Sequence, residues 1–318
     1  MNLTKIVQDS KNILIVCHQK PDGDCLGSGF ALYAFAEFLK KNVDIVSDSP
    51  VPQNYDFLPL LNKLNVQKHK KYDTVFAMDC AESLRMGKFA DYAKSTPVSV
   101  NIDHHKTNEY FCKINHVIPE LSSTCEVLYD IFEKEGIFEK AGSEVSKVMA
   151  QCLLVGFSTD TGHFMHSSVT SRTLQAASKL CDMGASISDI ASKIYRTNSL
   201  PRTRLLARAI DSMRFFENES ICIITLMLND FEKAGVEAHG TEGIIDVALN
   251  LKNTSVAVMI VEQNQTAFKI GFRSKGVDVA AVAGVFRGGG HTRASGCLIQ
   301  GRYEDVVDKI IKSVKDFS

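Results

Sequence analysis

The sequence predicts an α/β protein: a doubly wound, mostly parallel sheet followed by a smaller α+β domain. Three observations predict it. Short, almost continuously apolar runs (NILIVC, DTVFAM, PVSVNI) alternate with helical patterns, as parallel strands buried on both faces do. Each of these runs closes on acidic or imidazole side chains, the signature of a ligand crevice at the carboxyl ends of strands. Past residue 184 the alternation gives way to charged helices and then to a second set of strands.

Taken in order, NILIVCH reads as a strand, LGSGFALYAFAEFLKK as a helix, and VDIVS, DTVFAMD and PVSVNID as further strands. The proline-containing stretch SPVPQNYDFLPLLNK is expected to carry a short helix. Ser123 and Glu126 in SSTCE read as a capping box opening a helix to about residue 135, and SEVSKVMAQCLLVGFSTD as a second, largely buried helix. These elements make a domain over residues 1–184. Residues 185–205 read as a helical linker, with Pro201 near the start of a new helix. Residues 206–318 offer strands at SICIITLML, TSVAVMIVE and AFKIGFRS, helices at GTEGIIDVALNL and VDVAAVAGVF, the segment RGGGHTRASG and a last helix, YEDVVDKIIKSVKDF. An active-site cleft is expected between the two domains.

The chain has 318 residues, is 45% apolar and carries a formal charge of −1. No run reaches the roughly 18–20 apolar residues of a membrane span, and the first residues lack the pattern of a signal peptide, so a cytoplasmic protein with no membrane partner is expected. Its nine cysteines are scattered without a Cys-x-x-Cys pair, which suggests small core residues rather than disulfides or a thiolate zinc site. The small net charge disfavours long duplex nucleic acid as a partner but leaves room for a short anionic ligand.

The strand ends carry the chemistry. After the first strand come His18, Asp22 and Asp24; after DTVFAM comes Asp79; after PVSVNI come Asp103, His104 and His105; after the buried helix comes Asp160. A Pro-Asp-Gly turn, a surface histidine pair or a helix-terminating aspartate would each explain one of these segments alone, but not their joint occurrence. Carboxylates with imidazole and no thiolate suit Mn²⁺, Mg²⁺, Co²⁺ or Fe²⁺. So large a set suits two ions about 3.5–4 Å apart sharing one carboxylate, for which Asp79 is the natural bridge. In RGGGHTRASG, Gly289 and Gly290 precede His291, and consecutive glycines can turn backbone N–H groups toward an anion, although a hairpin tip has the same composition. Arg273, Arg287 and Arg293 stand near enough in sequence to assist in gripping phosphate.

In that order HQKPDGDCLGS, MDCAE, NIDHH and STDTG resemble the motifs of the DHH phosphoesterases, and RGGGHTRASG resembles the GGGH segment of that family's associated C-terminal domain. The resemblance covers nearly the whole chain. It implies a first ion on His18, Asp22 and Asp79, a second on Asp24, Asp79, His104 and Asp160, and His105 beside the substrate phosphate. Asp103 is then expected to orient the neighbouring histidines, and Mn²⁺ to be the usual metal. His163 and His166 fall outside the motifs.

Among the compact types, the chain is similar to nanoRNases that also act as pAp phosphatases. The expected substrates are therefore very short RNA and 3′-phosphoadenosine 5′-phosphate (pAp), with Asp79, His104 and His105 central to catalysis. Arg273, Gly289, Gly290, His291 and Arg293 are expected to hold the distal phosphate, and a homodimer is compatible with this reading. Hydrolysis of pApA from a cyclic dinucleotide, RecJ-like exonuclease action and a non-catalytic nucleotide-binding regulator are the alternatives. Arg85, just after Asp79, is expected to be a surface arginine, with substrate contact as the second reading.

Overall fold

The computed structural model describes residues 1–69, 71–236, 241 and 243–317, in two compact units, Met1–Thr197 and Asn198–Ser318. The first unit is built on a five-stranded, wholly parallel sheet in the order β2-β1-β3-β4-β5. Its strands are β1 (Asn12–Cys17), β2 (Asn42–Ser47), β3 (Thr74–Met78), β4 (Val98–Asp103) and β5 (Ile114–Val117). The chain reverses direction along the sheet between β1 and β3, which makes their carboxyl ends the switch point where α/β sheets bind ligands.

The strands are apolar throughout because alternate residues enter different cores. Ile13, Ile15 and Cys17 of β1 pack with Phe76 and Met78 of β3 under the helices of one face. Leu14 and Val16 pack with Val75, Ala77, Met86 and Phe89 on the other. The first face is covered by α1 (Leu3–Asp9), α2 (Gly23–Phe38), α4 (Thr124–Lys134) and α5 (Ile137–Asp160). The second has a thinner cover, a 3₁₀ stretch over Ser83–Phe89 and the single-turn α3 (Tyr92–Ser95). The short helix expected in the proline-containing stretch forms as two 3₁₀ turns, Gln53–Tyr55 and Leu61–Lys63.

One boundary and one cap bond differ from expectation. Helix α2 starts at Gly23 rather than Leu26, because the Asp22 side chain caps it by accepting from the Cys25 N–H at 3.1 Å. Ser123 caps α4 as expected, but Glu126 bonds the Ser122 N–H and hydroxyl instead of closing the box on Ser123. The unit is completed by α6 (Ser171–Asp182) and α7 (Ile187–Tyr195).

The second unit begins with α8 (Leu200–Asp211), which has Pro201 in its first turn. It holds a six-stranded mixed sheet in the order β10-β11-β9-β8-β7-β6. The strands are β6 (Arg214–Phe216), β7 (Ile221–Leu226), β8 (Val256–Asn264), β9 (Ala267–Ser274), β10 (Gly289–His291) and β11 (Ala294–Gln300). On one face lie α8, α9 (Leu228–Ala234) and α10 (Ile244–Leu249); on the other lie α11 (Val279–Val285) and α12 (Tyr303–Asp316). Gly240 and Glu242, in the stretch expected to form α10, lie outside the described residues. No helix among the described residues is long and apolar enough to cross a membrane.

Candidate active site

The carboxyl ends of β1, β3 and β4, the N-termini of α2 and α4 and the C-terminus of α5 converge on one cluster of carboxylates and imidazoles. His18 follows β1, and its buried ring directs Nε2 to within 3.7 Å of Asp22 Oδ1 and 3.4 Å of Asp79 Oδ2. The His18 Nδ1–H donates to the Gln19 carbonyl at 2.8 Å, so Nε2 points into the cluster, buried and without a hydrogen-bond partner. Around His104, Nε2 lies 3.0 Å from Asp160 Oδ2, 3.8 Å from Asp79 Oδ1 and 3.9 Å from Asp24 Oδ2. Asp79 thus stands between the two groups, one oxygen toward each. Its backbone is left-handed, φ 58°, a strained conformation for a residue with a side chain and common where function fixes a side chain.

Asp24, in the first turn of α2, is wholly buried, and α4 holds it in place. Its two oxygens accept from the Thr124 and Cys125 N–H groups at 2.7 and 2.8 Å, the unpaired amides that open a helix. Room for this carboxylate comes from Gly156 of α5, where a Cβ would sit 2.5 Å from Asp24 Oδ1. Asp79 Oδ1 accepts from the Thr124 hydroxyl at 2.9 Å.

Electrostatics follow from this crowding. Burial, then the nearby Asp79 and Asp160 carboxylates, push the Asp24 pKa well above the carboxylate range. Burial likewise raises Asp160. For His104, burial opposes the charge, but the Asp160 hydrogen bond and then Asp24 and Asp79 raise the pKa to about 10. For His18, burial again opposes, while the bonds to Asp22 and Asp79 carry it above an ordinary imidazole. Burial would raise Asp22, but its bond to His18 lowers it, and Arg85 adds to the lowering. The half-buried Arg85 therefore acts on the cluster electrostatically. The raised values of Asp24, Asp160, His18 and His104 all say that this cluster holds more negative than positive charge.

His105 faces a different partner. Its Nδ1 lies 2.7 Å from Asp103 Oδ1, while Asp103 Oδ2 accepts from Asn108 Nδ2 at 2.5 Å. Asn108 is tied in turn to Asn101 Oδ1 at 2.7 Å and the Cys80 carbonyl at 3.1 Å. Of the two histidines beyond the motifs, His163 Nδ1 lies 3.1 Å from the Ser158 hydroxyl and the His166 Nδ1–H donates to the Asp160 carbonyl at 3.1 Å, so neither ring joins the cluster. Cys25 stays a thiol: burial pushes its pKa up, and Sγ–H donates to the Met78 carbonyl at 3.4 Å.

A cavity of about 540 Å³ opens beside His104, His105 and Asp160, bordered also by Lys106, Glu120 and Ser168. Thr124, Asn101 and Asn108 are the working residues that sequence reasoning missed. Asn101, a polar residue inside the apolar run PVSVNI, was the available signal; nothing in the sequence marks Thr124.

In the second unit, the glycine segment takes the hairpin form, the other of its two readings: β10 and β11 pair antiparallel, Gly289 with Gly296, Gly290 with Ser295 and His291 with Ala294. β10 is the edge strand of its sheet and pairs on one side alone, so part of its backbone N–H groups stay outside the ladder, and the glycines also act through their missing side chains. Gly290, at φ 143°, would place a Cβ 2.6 Å from the Ala294 carbonyl oxygen. On one face, His291, Ala294 of β11 and Arg273 of β9 form a row, and Gly289, Gly296 and Gly271 form the next. His291 and Arg273 therefore stand about two strand spacings, ~9–10 Å, apart, beside a glycine shelf that is open at Gly289 and meets Ile245 of α10 at Gly271. Arg293 lies outside this row, in the hairpin turn, where Nη1 donates to the Val277 carbonyl at 3.4 Å.

Comparison with known proteins agrees with both halves. Residues 12–157 match the model of the DHH family, N-terminal domain, and residues 218–318 match the DHHA1 domain. The chain belongs to the DHH family. It is a phosphoesterase, hence a hydrolase, of a metal-dependent family.

Among curated relatives, it is 27% identical to the bifunctional oligoribonuclease and PAP phosphatase of Thermus thermophilus, over 96% of this chain and 89% of that one. It is 24% identical to the Bacillus subtilis protein of the same description, over 95% and 93%. The crystal structure of an exopolyphosphatase-related protein from Bacteroides fragilis superposes with a TM-score of 0.88 at 28% identity, covering 98% of this chain and 94% of that one. The two-unit α/β architecture is the one these comparisons support.

The donor set fits divalent cations. A buried imidazole nitrogen without a partner faces two carboxylates, and buried carboxylates without a counter-charge are among the costliest groups a protein can hold.

Proposed function

We propose that this chain hydrolyses very short 5′-phosphorylated oligoribonucleotides to mononucleotides and removes the 3′-phosphate of pAp to give AMP, with two divalent cations, Mn²⁺ by preference. The observation that carries the reading is the convergence of His18, Asp22, Asp24, Asp79, His104 and Asp160 on one point, with Asp79 between two groups of donors. His18, Asp22 and Asp79 would hold one ion, and Asp24, Asp79, His104 and Asp160 the other. When bound, such a pair supplies a reactive water at neutral pH and neutralises charge on the phosphoryl oxygens.

The chain's own residues do the rest. His18 and His104 each commit Nδ1 to a backbone carbonyl, which fixes the tautomer and leaves Nε2 as donor. Asp103 holds His105 at the mouth of the cavity, where its ring meets a phosphate at the reacting centre. The cavity has room for a nucleotide and places polar groups around it. On the second unit, Arg273 and His291 grip the distal phosphate while the glycine shelf accepts a flat ring. Binding energy from that non-reacting end is used to position the scissile bond, which favours short substrates. Both activities of the relatives then share one geometry, because pAp is the 5′-side part of pApA up to the scissile phosphate. The enzyme acts in the cytoplasm.

The test is product formation with Mn²⁺ from pAp, pApA and a long single-stranded oligonucleotide, beside the Asp79→Asn protein. Strong turnover of the two short substrates, absent in the variant, is the expected result. Preference for the long strand would indicate exonuclease action, and binding of nucleotide without turnover a regulator.

A further inference from the structure

Thr124 is buried at the first position of α4 and touches both carboxylates that lie deepest in the cluster. Its N–H donates to Asp24 Oδ2 at 2.7 Å and its hydroxyl donates to Asp79 Oδ1 at 2.9 Å. The N–H bond belongs to any residue at that position. The hydroxyl bond belongs to the side chain, and it lands on the carboxylate that must face two ways. Asp79 Oδ2 points to His18 at 3.4 Å, and Oδ1 points to His104 at 3.8 Å and His105 at 3.6 Å. The terminal torsion of an aspartate is broad, so nothing in its own covalent structure prevents that carboxylate from turning.

We propose that Thr124 is a positioning residue whose hydroxyl fixes the plane of the Asp79 carboxylate, so that both cation positions exist at once. The frame behind it is rigid. Ser123 caps α4 through the Glu126 N–H at 3.0 Å, and Glu126, fully buried, bonds the Ser122 N–H at 2.9 Å and the Thr173 hydroxyl of α6 at 3.2 Å. The hydroxyl is thus delivered by α4 and braced by α6. Without it, Asp79 Oδ1 loses its only side-chain hydroxyl donor among the described residues, the carboxylate turns toward whichever side is occupied first, and the second cation is bound more weakly. This inference rests on the two-cation reading above.

The test uses the full chain stripped of metal and titrated calorimetrically with Mn²⁺, alongside electron paramagnetic resonance to distinguish coupled pairs from isolated ions. The variants are Thr124→Val, which keeps the shape and loses the hydroxyl, Thr124→Ala as a second hydroxyl-free form, and Thr124→Ser, which keeps the hydroxyl. The wild type is expected to bind two ions as a coupled pair. The hydroxyl-free variants are expected to weaken one of the two by about 10–100-fold and to show isolated ions, with Thr124→Ser near wild type and metal-free melting temperatures similar throughout. Two coupled ions at wild-type affinity in Thr124→Val would overturn the inference, as would Thr124→Ser losing as much as Thr124→Val, since packing would then be the cause. A wild type that binds no pair would instead overturn the two-cation reading itself.

Discussion

Asp103 and His105, two residues apart, are joined side chain to side chain at 2.7 Å, and the bond ties the His105 ring to the last residue of β4. The Asp103 carboxylate is secured on its other oxygen by Asn108 and held below the usual carboxylate range: burial opposes this, but His105 outweighs it. His105 is raised in return, chiefly by that same bond. Asp103→Asn replaces a carboxylate with an amide that also presents N–H groups, so the imidazole loses its fixed tautomer. A fall in kcat of about 10–100-fold with unchanged Mn²⁺ affinity is expected, read from steady-state kinetics on pAp and calorimetry. Loss of metal binding in this variant would place Asp103 among the ligands.

Asp79→Asn is expected to lower turnover by at least ~1,000-fold, since several kcal/mol of transition-state stabilisation depends on the cations it would share. Its metal-free form is expected to melt no lower than wild type, because one carboxylate is removed from beside Asp24 and Asp160, both of which its charge raises. Substantial Mn²⁺-dependent activity in Asp79→Asn would refute the bridging role.

Chelation tests the same electrostatics in the wild type. At Mn²⁺ about 100 times above its Kd, ligand linkage contributes ~2.7 kcal/mol, equivalent to a rise in Tm of roughly 5–10 °C for a domain of this size. Differential scanning fluorimetry with Mn²⁺ or with a chelator reads the shift, which should vanish in Asp79→Asn.

The shelf on the second unit makes a separable prediction. Arg273→Ala and His291→Ala are expected to raise KM for pAp about tenfold or more, with Arg273→Lys intermediate because an ammonium cannot grip phosphate bidentately. Gly289→Val is sharper. A Cβ there meets nothing within 4 Å, so the strand accepts it, yet the side chain occupies the bare surface where a substrate ring would lie. A folded Gly289→Val enzyme with unchanged KM would remove the shelf from the binding site.

Away from the cluster, His116 on β5 is held below the ordinary imidazole value, mainly by burial and then by the N-terminal amine and Lys134. The folded state therefore binds this proton less readily than the unfolded chain. Stability from this group is complete above the unfolded pKa of about 6.5 and declines as pH falls through it. The stability of wild type relative to His116→Gln, measured by urea unfolding, should fall between pH 7 and pH 5; a constant difference would assign the shift no role.

What the sequence determined by itself was local and ordered. Apolar runs closed by His18, Asp79 and Asp103 identified parallel strands and placed chemistry at their ends, because side chains at a strand terminus must lie where the sheet stops covering them. Asp22 and Asp160 stood out in the same way, one capping α2 and one ending α5. The tertiary structure alone decided which of them share a point in space. Thr124 lies 45 residues from Asp79 and 100 from Asp24, and its role exists only because α4 aims its N-terminus at the ends of β1 and β3. The glycines of RGGGHTRASG look the same in sequence whether they form an anion loop or a strand. Pairing with β11, a long-range ladder that no local pattern specifies, made them a flat shelf and set His291 in line with Arg273.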